Sequence, residues 1–326
     1  MDYLLINGEK YEVVDTLEYV TLADSFVKNK IGTGHGEAKL YVGNESERLD
    51  SFFEGYDQCK CVFKKADFEA YLSDAENEFI DPQQDYVKKA DMPELYDRLK
   101  FAVNQFPTEV LPFEIYRVGV EPPRVYMNSK SPYYDFMRDL GLPNISYLSV
   151  LKLKNNTNRL LYYFKMFVDY KSDLVTYVMK DEEAQEERIA SASDISNKVK
   201  SSLINARIGQ GEYRKKLLEE CPFCPFTLVS DERLLVASHI KPWVLSDDKE
   251  KVDSKNGFMF TPTFDRLFDR GFISFEDDKT LMVSPWISPM NQKRLGIYNG
   301  KIIDKLPIDE KRKKYLAFHR EYIFKF

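Results

Sequence analysis

Leu234-Leu235-Val236-Ala237-Ser238-His239-Ile240-Lys241-Pro242-Trp243, then Asn256-Gly257-Phe258-Met259-Phe260, then Pro262-Thr263-Phe264-Asp265-Arg266-Leu267-Phe268-Asp269 decide how the C-terminal third folds. The first run is apolar and leads into a histidine. The second is a short apolar run behind an Asn-Gly pair, and between them lies a polar loop, Ser246 to Lys255, rich in Asp and Lys. The third spaces Phe264, Leu267 and Phe268 three and four apart, the period of a helix with one buried face. Pro262 suits a first helical turn, and Gly271 suits the position just past a helix end. The order predicted is strand, loop, strand, helix, with polar residues at the junctions. A helical segment, Gly209 to Leu218, precedes it.

Taken singly these residues are ordinary. A lone histidine is more often a half-buried core residue, Asn-Gly is a common turn pair, and Asp265 and Asp269 could simply accompany Arg266 and Arg270 on a solvated helix face. Taken together, Ser238-His239-Ile240-Lys241-Pro242-Trp243, Asn256-Gly257 and Asp265 to Phe275 resemble the HNH endonuclease family, in its restriction-endonuclease-like branch. The resemblance extends upstream to Arg207-Ile208-Gly209-Gln210-Gly211 and downstream to Tyr315-Leu316-Ala317-Phe318-His319-Arg320-Glu321. It implies a ββα-metal fold, with His239 as general base on a water and Asn256 fixing the loop that orients it. It also implies a divalent cation, Mg2+ or Mn2+, at the phosphate.

The family's helix position, nine residues after Asn256, holds Asp265, a hard oxygen ligand compatible with those ions. Asp269, one turn on, would share its face, and Ser238 stands where relatives carry another ligand. Lys241, Arg266, Arg270, Lys313, Lys314 and Arg320 are the expected contacts to DNA phosphates. His319, on the same terminal segment, is read as structural.

Cys221-Pro222-Phe223-Cys224 is a possible half of a zinc site. No cysteine follows it, and Cys59-Lys60-Cys61 lies far upstream, so structural zinc is not expected and inert buried thiols are. Further upstream the charged segment Lys180 to Lys200 reads as a linker or solvated helix. Between Pro107 and Tyr177 strands dominate, with a short helix near Tyr133 to Leu140 ended by Gly141 and Pro143. Residues 65–106 have helical periodicity, broken at Asp81-Pro82, and the first forty residues alternate strand-like runs with turns such as Asn7-Gly8. Gly32-Thr33-Gly34-His35-Gly36 lacks the lysine of a phosphate-binding loop and is read as a hairpin connection.

The chain has 326 residues, 43% hydrophobic and 31% charged, and 14% aromatic with 21 Tyr and 23 Phe, the composition of a folded protein of two or three domains. No apolar run of membrane-spanning length and no secretory leader are apparent, so a cytoplasmic protein is expected. Net charge is −6, but residues 207–326 hold 22 basic against 18 acidic residues, a balance of +4, leaving −10 for the rest. The C-terminal third is thus the part better able to face a polyanion.

The expected whole is α+β: a mixed α/β N-terminal recognition or sensing domain over 1–106, a β-rich region over 107–180, a charged linker over 181–206 and an HNH nuclease domain over 207–326. A finger that grips phosphates carries little sequence discrimination, so a type II or modification-dependent restriction enzyme, homodimeric on double-stranded DNA, is the simplest reading. A triggered nonspecific nuclease effector and a non-catalytic DNA-binding protein remain alternatives.

Overall fold

A computed structural model describes residues 3–32, 38–44, 47–54, 58–119, 123–169 and 211–326. Of the loop expected over 32–36 only Gly32 is among them, and the whole segment from Lys180 to Lys200 and Arg207 to Gln210 lie outside them. The chain divides into two units, Met1–Lys171 and Ser172–Phe326.

In the first unit Asn7 and Gly8 both take left-handed conformations, φ 52° and 78°. That geometry matches the twist of a two-residue hairpin, and it joins β1 (Tyr3–Ile6) to β2 (Glu9–Thr21). The other strands are β3 (Leu40–Asn44), β4 (Cys59–Lys64), β5 (Val110–Val118), β6 (Arg124–Asn128), β7 (Ser146–Asn155) and β8 (Leu160–Val168). They form one eight-stranded sheet in the order β1-β2-β7-β8-β4-β5-β6-β3. Neighbours are antiparallel except β4 and β8, which run parallel. The division expected after Phe106 therefore does not appear. Strands from both sides of it alternate within the sheet, and the two stretches share one core.

That core is completed by α2 (Lys65–Ile80), α3 (Met92–Asn104) and α4 (Pro132–Leu140), behind a short α1 (Glu47–Phe52). Phe68, Tyr71, Leu72, Leu99 and Val103 are buried in it, as their spacing predicts. Ser131 caps α4, accepting from Tyr133 N at 3.2 Å with Pro132 in the first turn. Cys59 and Cys61 are buried in the same core, and burial pushes the Cys59 thiol up to about 11.

Among the described residues of the second unit, helix α5 (residues 211–220) comes first. It continues through β9 (Val236–His239), β10 (Gly257–Phe260), α6 (Pro262–Asp269), the hairpin β11 (Ile273–Phe275) and β12 (Leu281–Val283), α7 (Pro289–Leu295) and α8 (Glu310–Tyr322). The predicted strand–loop–strand–helix order is present. Pro262 occupies the first turn of α6. Gly271 follows it at φ 70°, and Phe272 N bonds back to Leu267 O at 2.8 Å, closing the helix as a glycine cap. Phe258, Phe260, Phe264, Phe268 and Phe275 form the centre of the core, with Phe226 stacked on Phe264 at 4.0 Å. Among the described residues no helix is long and apolar enough to cross a membrane.

Candidate catalytic site

β9 and β10 pair antiparallel with His239 opposite Gly257, so the histidine stands at the mouth of the polar loop that joins the strands. Its Nε2 lies 3.0 Å from the Lys251 carbonyl oxygen. A carbonyl only accepts, so Nε2 carries the proton, and in the neutral ring Nδ1 keeps its lone pair. One face of the imidazole stacks on Tyr213 of α5, centroids 4.1 Å apart and planes 13° from parallel. Burial pulls the His239 pKa below its ordinary value, against smaller upward pulls from the Lys251 carbonyl and the Asp269 charge. The ring is therefore neutral at pH 7, oriented, and basic at Nδ1.

Asn256 has no solvent exposure. Its Oδ1 accepts from Lys241 N at 2.8 Å, and its Nδ2 donates to Lys241 O at 3.2 Å, Glu250 O at 3.2 Å and Ser246 Oγ at 3.3 Å. These bonds draw the start and end of the loop together. Glu250 directly precedes Lys251, the residue that holds His239, so the amide fixes the histidine at one remove. The Asn256 carbonyl accepts from Ile240 N at 3.0 Å and from the Tyr213 hydroxyl at 3.0 Å. Tyr213 is 1% exposed, and burial raises its phenol well above the ordinary value, so it donates at all working pH. Space for that hydroxyl exists because residue 257 is glycine. A Cβ there would lie 1.9 Å from the Tyr213 oxygen and 2.8 Å from Ser238 O.

On α6, Asp265 is half-buried and Asp269 exposed, one turn apart. The charge of Asp269 bears weakly on His239 and that of Asp265 on Tyr213, so both carboxylates lie within electrostatic range of the stacked pair. Ser238 is enclosed, at 4% exposure. Among the described residues no group of three or more His, Cys, Asp or Glu side chains gathers to hold a metal ion. Two carboxylates nonetheless fit Mg2+, which takes one or two protein oxygens and completes its shell with water and substrate phosphate.

The basic residues divide. Lys241 pairs with Glu250 at 2.6 Å, bracing the loop. Arg320 donates to Phe275 O at 2.7 Å and pairs with Asp277 at 3.0 Å, committing it to the β11–β12 turn. Lys313 pairs with Glu310 at 2.5 Å on the surface of α8; Lys314 and Arg266 are exposed, and Arg270 is half-buried. The basic run Lys311-Arg312-Lys313-Lys314 is split by the helix: Arg312 turns inward and is 1% exposed. His319 is 1% exposed as well, between Ser274 Oγ at 2.9 Å and Phe268 O at 3.0 Å, and stacked on Phe268 at 4.0 Å. It ties α8 to the end of α6, the structural role expected of it. Cys221 and Cys224 belong to the core, and burial raises the Cys221 thiol.

Sequence reading did not single out Tyr213, Glu220 or Arg312. Tyr213 falls in the predicted helical segment, but nothing local to it reports that its ring meets a histidine 26 positions on.

A sequence model of the protein family described as HNH endonuclease matches residues 221–276, which take in β9, the loop, β10 and α6. No curated protein matches the chain. The C-terminal unit carries an HNH endonuclease domain, preceded by an α/β region.

Proposed function

We propose that this HNH domain makes the chain a metal-dependent DNA endonuclease, acting as a restriction enzyme on conventional or base-modified DNA. The observation that carries the reading is the state of His239: neutral, stacked on Tyr213, and held at Nε2 by Lys251 so that Nδ1 is the free base. Nδ1 takes a proton from water as the water oxygen attacks phosphorus, and the bond to the 3′-oxygen breaks. Asn256 keeps the ring in that orientation by holding the loop. Asp265 and Asp269 are the side chains that would hold Mg2+ or Mn2+. The cation, when bound, stabilises charge on the phosphate and on the leaving oxygen. Arg266 and Arg270, which follow Asp265 and Asp269 in the chain, supply phosphate contacts beside the site, and Lys314 on α8 supplies a further one.

Sequence choice is assigned to the N-terminal unit, because a finger reading phosphates does not discriminate bases. One finger per chain favours two copies on a two-fold-symmetric site, one cut per strand. The test is cleavage of two phage DNAs, unmodified and cytosine-modified, with Mg2+ or Mn2+, alongside His239→Ala. Discrete fragments lost by about 10²–10⁴-fold in the variant are expected. No cutting of either DNA with either metal overturns the reading.

A further inference from the structure

The segment that fixes His239 is itself held from outside the matched family region. Asp253 accepts from the Tyr315 hydroxyl at 2.8 Å and pairs with Lys311 at 2.7 Å. Ser254 donates from Oγ to Glu220 at 2.7 Å, and its carbonyl accepts from Arg312 at 3.2 Å. Lys255 pairs with Glu220 at 2.7 Å, and the Gly257 carbonyl accepts from Arg312 Nε at 3.3 Å. Residues 253, 254, 255 and 257 are thus each gripped from α5 or α8, and Asn256 between them is held by Tyr213.

Arg312 is the hub of this grip. Besides the two carbonyls it pairs with Glu220 at 2.8 Å and with Asp309 at 2.8 Å, the latter also capping α8. Burying a guanidinium carries a large desolvation penalty, and a core built for stability alone does as well with apolar side chains of the same volume. A planar fork that makes four bonds to fixed acceptors, two carbonyls and two carboxylates, supplies geometry that apolar packing does not.

We propose that α8 is part of the working nuclease: Arg312, paired with Glu220, is a positioning residue that sets the 253–257 segment and, through Asn256, the orientation of His239. This rests on the nuclease reading above. Neither residue touches the reacting atoms, and both lie outside the segment 221–276.

The test separates positioning from stability. Arg312→Met alone strips Glu220 of its buried partner and destabilises the unit. Arg312→Met with Glu220→Gln removes that charge pair together and recovers the part of the stability lost to an unpaired Glu220. In the double variant the urea midpoint is expected to return towards wild type. kcat is expected to stay down by about 10²-fold, the scale of a small misplacement at a reacting centre. KM for DNA is expected to remain within about twofold, since no substrate contact is lost. The Lys241 amide, protected by Asn256 Oδ1, is expected to exchange faster with solvent.

Arg312→Lys is the second variant. It keeps the charge but cannot bond both carbonyls, and the expectation is a lowered kcat at a nearly unchanged midpoint. Recovery of full kcat along with the midpoint in the double variant, or unchanged Lys241 exchange, overturns the proposal. Wild-type protein that cuts neither phage DNA overturns the nuclease reading itself. Wild-type cutting matched by the double variant overturns only the role of Arg312.

Discussion

Replacing Asn256 by aspartate distinguishes a loop clamp from a metal ligand. Asp has the same shape, keeps an oxygen in the Oδ1 position for Lys241 N, and would serve a cation at least as well as an amide. It cannot donate. The two Nδ2 protons of Asn256 serve Lys241 O, Glu250 O and Ser246 Oγ at 3.2–3.3 Å, so in the variant a carboxylate oxygen faces two carbonyls with no solvent exposure. Asn256→Ala loses three hydrogen-bonding valences at about 1 kcal/mol each, or about 3 kcal/mol before any cavity cost. Asn256→Asp costs about 3–5 kcal/mol, the scale of an uncompensated buried charge. Both tryptophans, Trp243 and Trp286, lie in the second unit, so urea unfolding followed by their fluorescence reports on the nuclease unit alone. Cleavage of the same preparations is expected to fall by about 10²-fold or more, since the Lys251 carbonyl that orients His239 loses its anchor. An Asn256→Asp protein that unfolds at the wild-type midpoint and cuts normally would refute the clamp.

Three further outcomes follow from the geometry. Gly257→Ala is expected to destabilise the unit by more than about 2 kcal/mol, because its Cβ overlaps the Tyr213 hydroxyl. Adding Tyr213→Phe relieves only part of that, since Ser238 O remains 2.8 Å away; the urea midpoints of the single and double variants check it. His319 is held down to about 4, chiefly by burial. The unfolded chain therefore binds the extra proton between about pH 6.5 and 4. Stability of the unit falls with pH across that window, by about 3 kcal/mol at its lower end. Midpoints measured against pH should show a slope that His319→Gln flattens, and an equal slope in the variant would refute the assignment. Asp265→Asn and Asp269→Asn are each expected to raise the Mg2+ needed for half-maximal cleavage by about tenfold. Titration of the metal after chelator treatment measures this, and an unchanged requirement in both removes these carboxylates from the metal site.

Local chemistry made much of this protein legible in its sequence. Asn7-Gly8 specifies a hairpin because both residues tolerate a left-handed backbone. Phe68, Tyr71 and Leu72 mark one face of α2 by their spacing, and Pro262 and Gly271 bracket α6 because each suits one end of a helix. The order of β9, β10 and α6, with His239 and Asn256 at the junctions, is equally local, whereas the roles proposed for those two residues come from the family resemblance. Only the tertiary structure decided what closes around them. Strand β2 pairs with β7, placing Thr16 beside Leu151, and no alternation within either strand records so distant a partner. Arg312 stands in a run of basic residues that looks uniformly solvated, and becomes the buried hub because helix geometry turns one position in the run towards Glu220. Tyr213 meets His239 only when α5 and the β9–β10 hairpin share a core. Periodicity and turn chemistry act over a few residues, whereas the partners of a buried charge or a stacked ring are chosen by packing between segments the sequence holds far apart.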